Sequence, residues 1–332
     1  VRGFTGPAAV AGRSERIILT GASGWLGKAT LAMLAEALGD DFKRRVHCFG
    51  SERREIDLGD GLMVMQSPLA ALAELPSAPS WMLHLAFLTK DRVAGMKEAD
   101  YIAACRHISE SVEHALDRIG VTGLFVPSSG AAYRANDMGA SPAMRLYGSM
   151  KLADEELFAN WADRTGHTAV IARVFNVTGA YINKFDAYAL ASFIVDALYD
   201  RPIKIQATRP VLRSFVATRE LMSLVFALLA ADDGLITRFD TAGEEILEMG
   251  ALARTVQAII GSTGAVFRPP LGTEPADFYA GERAGYQALV EQFGIAPVPM
   301  AVQIGETAAY IAGVLGLPPR PYNLIGTGNA AC

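Results

Sequence analysis

The chain has 332 residues, 51% hydrophobic and 20% charged, with a formal net charge of −5. That much apolar surface excludes a disordered or collagen-like chain, and an acidic balance with scattered Lys and Arg leaves no basic face for nucleic acid or an anionic membrane. Cys48, Cys105 and Cys332 form no CxxC or disulfide pattern and the histidines lack metal-ligand spacing, so a reducing, cytoplasmic compartment and no metal are expected.

The Gly/Ala-rich start with Pro7 reads as a flexible leader over residues 1–15. From Arg16 short apolar runs alternate with amphipathic stretches, the pattern of parallel βαβ units. Strands are expected at Arg16–Thr20, Arg45–Phe49, Leu62–Met65, Trp81–Leu85, Leu124–Pro127 and Thr168–Val174. Helices are expected at Gly27–Leu38, Leu69–Leu75, Ala99–Ile119 and Tyr147–Thr165, the last two ending near Gly120 and Gly166, where left-handed caps would sit. Further helices fall near Ala189–Tyr199 and Leu221–Ala231; the latter is the longest apolar run, too short to cross a bilayer, and reads as a buried helix. The expected fold is α/β: a Rossmann-type doubly wound parallel sheet over residues 16–178 that returns around 211–243. A smaller C-terminal α/β substrate domain is expected from 179–210 and 244–317, with a Pro/Gly/Asn-rich mobile tail over 318–332.

The first strand runs straight into Gly21-Ala22-Ser23-Gly24-Trp25-Leu26-Gly27, which opens a helix. Glycines at this spacing allow a tight turn and the approach of a pyrophosphate to helix N–H groups, so a dinucleotide is expected rather than a bare strand-to-helix turn. An acidic residue holding the ribose hydroxyls of NAD usually stands at the end of the second strand; Gly50 is followed instead by Ser51, Glu52, Arg53 and Arg54. Ser51, Arg53 and Arg54 suit a 2′-phosphate, which favours NADP(H) over NAD(H). The alternative is a solvated loop in which Glu52 and Glu55 neutralise both arginines.

Tyr147 and Lys151 stand four apart, on one face of a helix, and Ser129 lies at the end of an apolar strand, where open α/β sheets bind ligands. In order along residues 16–316 come the glycine loop, His84-Leu85-Ala86, Ser128-Ser129 with Tyr133, Tyr147/Lys151, Arg173-Val-Phe-Asn176-Val-Thr-Gly179, Arg213-Ser-Phe-Val and Thr241-Ala-Gly243. This set resembles the extended short-chain dehydrogenase/reductase family, the NAD(P)-dependent sugar-nucleotide epimerases, dehydratases and reductases.

The resemblance implies a tyrosine that exchanges a proton with a substrate carbinol or carbonyl oxygen while a hydride moves between carbon and nicotinamide. Tyr147 would take that role, with Ser129 orienting the same oxygen and Lys151 favouring the phenolate and binding the nicotinamide ribose. It places Ser23, Trp25, Leu26, Leu85 and Ala86 with the glycines around the cofactor, and Thr89, Ser129, Asn176 and Arg213 around a nucleotide-sugar substrate. Arg213 and Asn176 would hold its diphosphate, Arg213 as a fixed-charge fork.

Dehydrating relatives carry an Asp-Glu pair after the active-site Ser/Thr, where this chain has Gly130-Ala131, and relatives that epimerise carbons beside a ketone place a Cys near that serine, where none stands. What remains is redox chemistry at one carbon. NADP(H)-dependent reduction of a keto group, with C4 the favoured position, leads on the Ser51/Arg53/Arg54 loop, with an NAD-dependent 4-epimerase as the alternative. A reductase of a non-nucleotide ketone and a non-catalytic dinucleotide-sensing protein are lesser alternatives. Departures from the family stand at Cys105, Ser67, Ser214 and Arg219. The resemblance also implies a homodimer through the helices at 99–119 and 147–165.

Overall fold

The computed structural model describes residues 9–324. Its centre is an eight-stranded sheet built from β1 (Arg16–Thr20), β2 (Val46–Gly50), β3 (Arg54–Asp57), β4 (Met63–Pro68), β5 (Ser80–His84), β6 (Val121–Ser129), β7 (Thr168–Val174) and β8 (Ile236–Asp240). Their spatial order is β8-β7-β6-β5-β1-β2-β4-β3, parallel except for β3, which runs antiparallel to β4 at the edge. The helices of this lobe are α1 (Trp25–Leu38), α2 (Glu98–Ile119) and α3 (Pro142–Thr165). Those of the later half are α4 (Ala189–Leu198), α5 (Thr218–Ala231), α6 (Met249–Ile260), α7 (Arg283–Gln292) and α8 (Met300–Val314).

Alternate residues of each central strand feed opposite faces, because successive side chains point to opposite sides of a pleated strand. Ile17, Leu19, Trp81, Leu83, Phe125 and Val170 pack under α1, α5 and α7, whereas Ile18, Met82, Leu124, Val126 and Ile171 pack under α2 and α3. Burial on both faces explains why these strands read as continuous apolar runs, and this is the doubly wound α/β arrangement expected. A separate core joins α4, α6 and α8 through Leu190, Ile194, Leu252, Val256, Ile304 and Ile311.

Gly120 and Gly166 cap α2 and α3 in left-handed geometry, as their positions predict, and α5 buries most of its length. Other boundaries move. α3 begins at Pro142, five residues earlier than its apolar spacing indicates, because Ser141 caps it by accepting from the Met144 N–H and proline suits the first turn. Leu69–Glu74 is a 3₁₀ segment, not an α-helix. The edge strand β3 had no sequence signal, since only Ile56 of its four residues is buried.

Four features bear on the expected division of the chain. Val211–Arg213 pairs with Leu247–Glu248 and Asp277–Tyr279 in a small sheet, so the return to the central lobe starts after it. α7 packs on that lobe through Tyr286 and Val290. Residues 9–15 of the expected leader are fixed: Val10 is fully buried and its carbonyl accepts from Arg45. At the other end the Asn323 N–H donates to the Ile259 carbonyl on α6, and the expected tail beyond residue 324, with Cys332, is outside the described residues. Cys48 and Cys105 are buried free thiols. Among the described residues no helix is long and apolar enough to cross a membrane.

Candidate active site

Parallel strands deliver β1, β5, β6 and β7 to one edge of the sheet, and the expected site residues follow their C-terminal ends. The glycine turn is defined by what it has no room for. Gly21 has φ +70°, and a Cβ there would lie 2.6 Å from the Ala86 nitrogen; a Cβ on Gly27 would lie 2.5 Å from the Gly21 carbonyl oxygen. Gly24 caps α1 without a side-chain hydrogen bond, and no acid stands in the first turn. The first N–H groups of a helix have no intrahelical acceptor, so this end can take an anionic pyrophosphate. The expected residues Ser23, Leu26, Leu85 and Ala86 line the same turn, and Ala86 is fixed by its N–H to the Thr20 hydroxyl (3.2 Å). The turn therefore fits a dinucleotide.

Trp25 does something else. Its indole N–H donates to the Ala180 carbonyl (2.8 Å) and its ring meets Tyr188 at 5.3 Å, so the cofactor turn is tied directly to the second lobe. On the ribose side Gln66 fills the space that a side chain at Gly50 would need, donating to the Glu52 carbonyl (2.9 Å). Ser51 and Arg53 are exposed, while Arg54 is ion-paired with Glu52.

The three expected catalytic residues converge. Ser129 ends β6, and its hydroxyl accepts from the Ala131 N–H (3.2 Å). Tyr147 stands near Ser129, whose hydroxyl works to lower its pKa, but burial outweighs that and holds the phenol above its ordinary range. A low-dielectric pocket favours the neutral phenol, the form that donates a proton. Lys151 is buried, donates to the Pro127 carbonyl (2.9 Å), and lies 3.6 Å from the centroid of the Phe87 ring, which itself packs edge-on against Tyr147. His84 sits behind them with Nδ1 2.7 Å from the Thr20 hydroxyl; burial, then Lys151, holds its pKa down to about 3, so it is neutral.

The helix carrying Tyr147 and Lys151 is locked to the sheet by Glu155, which accepts two bonds from Arg173 (2.8 Å each) and one from Ser128. Arg173 in turn lies over the Tyr133 ring (4.4 Å), and the Tyr133 hydroxyl reaches Asp240 on β8.

The expected substrate residues are placed less simply. Asn176 donates to the Ser214 and Tyr279 carbonyls, and Arg213 donates to the Asp277 carbonyl (2.8 Å) and carboxylate (2.9 Å). Both face the catalytic edge but hold the strand Asp277–Tyr279 there. Thr89, at the start of a 3₁₀ turn, donates to Asp91 on the surface, and Asp91 also pairs with Lys184 of the second lobe. Sequence reasoning missed Tyr279, whose hydroxyl is 3.4 Å from that of Ser129, and Phe87 beneath Lys151. Tyr279 lies in a Pro-rich stretch with no local motif, and only the fold brings it to the site.

Residues 17–238 match the model of the NAD dependent epimerase/dehydratase family. No curated protein matches the sequence. Among solved structures, a UDP-N-acetylglucosamine 4-epimerase from Methanobrevibacter ruminantium M1, in complex with UDP-N-acetylmuramic acid, superposes with a TM-score of 0.71 at 17% identity. That alignment covers 91% of this chain and 99% of the other. MoeE5 in complex with UDP-glucose and NAD gives 0.67 at 18% identity over 90% and 99% of the two chains. A UDP-glucose 4-epimerase from Thermotoga maritima, solved with UDP-glucose, gives 0.65 at 16% identity over 90% and 99%. These likenesses are of fold.

Proposed function

The chain belongs to the NAD-dependent epimerase/dehydratase family, and from that premise we propose that it is an oxidoreductase acting at one carbinol or keto carbon of a nucleotide-activated sugar, in the manner of a 4-epimerase. The observation that carries this reading is the convergence of Ser129, Tyr147 and Lys151 beside a glycine turn that fits a dinucleotide.

When bound, a nicotinamide dinucleotide supplies the acceptor or donor of the hydride. Gly21, Gly24, Gly27 and the start of α1 would hold its pyrophosphate, with Ser23, Trp25, Leu26, Leu85 and Ala86 around it. Tyr147 would give its proton to the substrate oxygen during reduction and take it back during oxidation, while the Ser129 hydroxyl orients that oxygen. Lys151 would place a positive charge where the phenolate has to form. Gly130-Ala131 supply no acid or base for eliminating water, which supports redox chemistry over dehydration.

Retention of NAD through the cycle is supported by the pairing of Arg54 with Glu52, which leaves less free positive charge for a 2′-phosphate, and by neighbours solved with NAD. The second reading, an NADPH-dependent reductase of a keto-sugar nucleotide, is favoured by the exposed Ser51 and Arg53 at the same strand end. Arg213 and Asn176 remain the proposed diphosphate contacts and Thr89 a substrate contact. A homodimer through α2 and α3 is the proposed assembly.

Incubating the purified protein with UDP-hexoses, without added cofactor, separates the readings. Interconversion of the 4-epimers selects the epimerase, and turnover of 4-keto sugar nucleotides only with NADPH selects the reductase. Tyr147→Phe abolishes either activity with cofactor affinity kept; full turnover by that variant would overturn both.

A further inference from the structure

Behind the catalytic edge, α2 and α3 enclose a small polar cell. Lys151 is 5% exposed and Asp154, one helical turn further on, is 4% exposed. Residues three apart share a helix face, so the sequence Lys151-Leu-Ala-Asp154 puts a carboxylate on the flank of the catalytic lysine. Oδ1 of Asp154 accepts from the Ser109 hydroxyl on α2, and Oδ2 is buried with no hydrogen-bond partner among the described residues. A buried carboxylate oxygen without a donor is costly unless a cation faces it.

The groups that face this cell are few. From α2 come Ser109, the thiol of Cys105 and the phenol of Tyr101, the last committed to the Leu88 carbonyl. From α3 come Lys151, Tyr147 and Glu155, the last held by Arg173 and Ser128. His84 at the end of β5 is neutral. Lys151 is thus the cation available to Asp154, since Arg173 serves Glu155.

The dependence runs both ways. The Lys151 ammonium has one carbonyl acceptor and a ring face, and burial pulls it below the ordinary lysine value; Asp154 is the first of the groups that oppose this. Burial raises the Asp154 carboxyl, and Lys151 is the first of the groups that hold it down.

We propose that Asp154 is a positioning residue for the catalytic lysine: its buried carboxylate, one helical turn away, is the counter-charge that keeps Lys151 protonated while Tyr147 exchanges its proton. The inference rests on the role given to Lys151 in the proposed function. An ammonium is what a forming phenolate needs beside it, and a neutral amine there would lose most of that benefit.

Two measurements on the full-length protein test it. In protein labelled with [ε-¹³C]lysine, the Lys151 resonance, assigned by its loss in Lys151→Met, reports the ionisation of Nζ directly. In the wild type Lys151 is expected to be an ammonium still at about pH 8; a neutral Lys151 at that pH overturns the proposal without recourse to any variant. In Asp154→Asn, which keeps the size and an acceptor for Ser109, the Lys151 titration and the alkaline limb of the kcat–pH profile move down together by about one pH unit or more. A folded variant with both unmoved also overturns it. If the wild type turned over no substrate, the oxidoreductase reading would fail, while the lysine titration would still decide the relation between Asp154 and Lys151.

Discussion

The hydroxyl of Ser129, at the end of the central sheet, lies 3.4 Å from the hydroxyl of Tyr279, which reaches it from a strand 150 residues later in the chain. Ser129 already accepts from the Ala131 N–H, so a donor at Tyr279 would fix the direction in which the serine points its own proton. Removing that phenolic hydroxyl in Tyr279→Phe leaves the ring packed against Phe175 (4.7 Å) and takes away only the polar contact. The expected outcome is a fall in kcat of about tenfold with KM little changed. Steady-state kinetics beside Tyr147→Phe, in which turnover is abolished, check it.

The glycine turn predicts a steric failure. A methyl at Gly27 meets the carbonyl oxygens of Gly21 and Ala22 at 2.5 and 2.7 Å, and both are backbone atoms that cannot swing aside. Gly27→Ala should therefore cost about 1–3 kcal/mol of stability and weaken dinucleotide binding together. Thermal unfolding with and without NAD measures both, and a variant with wild-type Tm and affinity would contradict the close packing of this turn.

Arg213 carries a prediction about substrate alone. Its fork is held by Asp277 in the second lobe, far along the chain from the cofactor turn. On the diphosphate role proposed for it, Arg213→Met should raise KM for the nucleotide sugar by about tenfold or more, the cost of a lost charge-assisted pair to phosphate. Cofactor affinity, measured by calorimetry, is expected to stay within error; a parallel loss would assign Arg213 a role in holding the lobes instead.

The pH dependence of stability has one clear contributor in Glu220, which is 2% exposed on α5 and accepts from the Tyr286 hydroxyl (3.0 Å) and the Val298 N–H (2.7 Å). Burial lifts its pKa from 4.5 to about 7, so between those values the folded state holds a proton that the unfolded chain has released. Stability from this group is greatest below pH 4.5 and is lost as the pH rises through about 7, by up to roughly 3 kcal/mol. Glu220→Gln can still accept from Val298 and donate to Tyr286, and it should flatten that slope. Urea unfolding at a series of pH values compares the two proteins.

Much of this molecule is determined by local sequence. Strands β1 and β7, the glycine turn, the Gly120 and Gly166 caps and the Tyr147/Lys151 face were all legible, because each depends on periodicity, on a left-handed backbone or on spacing along one helix. The tertiary structure decided the rest. Of the two readings the sequence left open for Arg54, the structure has its pairing with Glu52 at the start of the edge strand β3, a strand without the apolar alternation that would have announced it. Val10 belongs to the core because Arg45, distant in sequence, binds its carbonyl. Tyr279, Asp277 and Phe87 join the site from loops and a short strand, whose positions are set by lobe packing rather than by their own residues. The acidity of Tyr147 and Lys151 likewise follows from what encloses them, and desolvation is a property of the assembled pocket that no spacing of residues encodes.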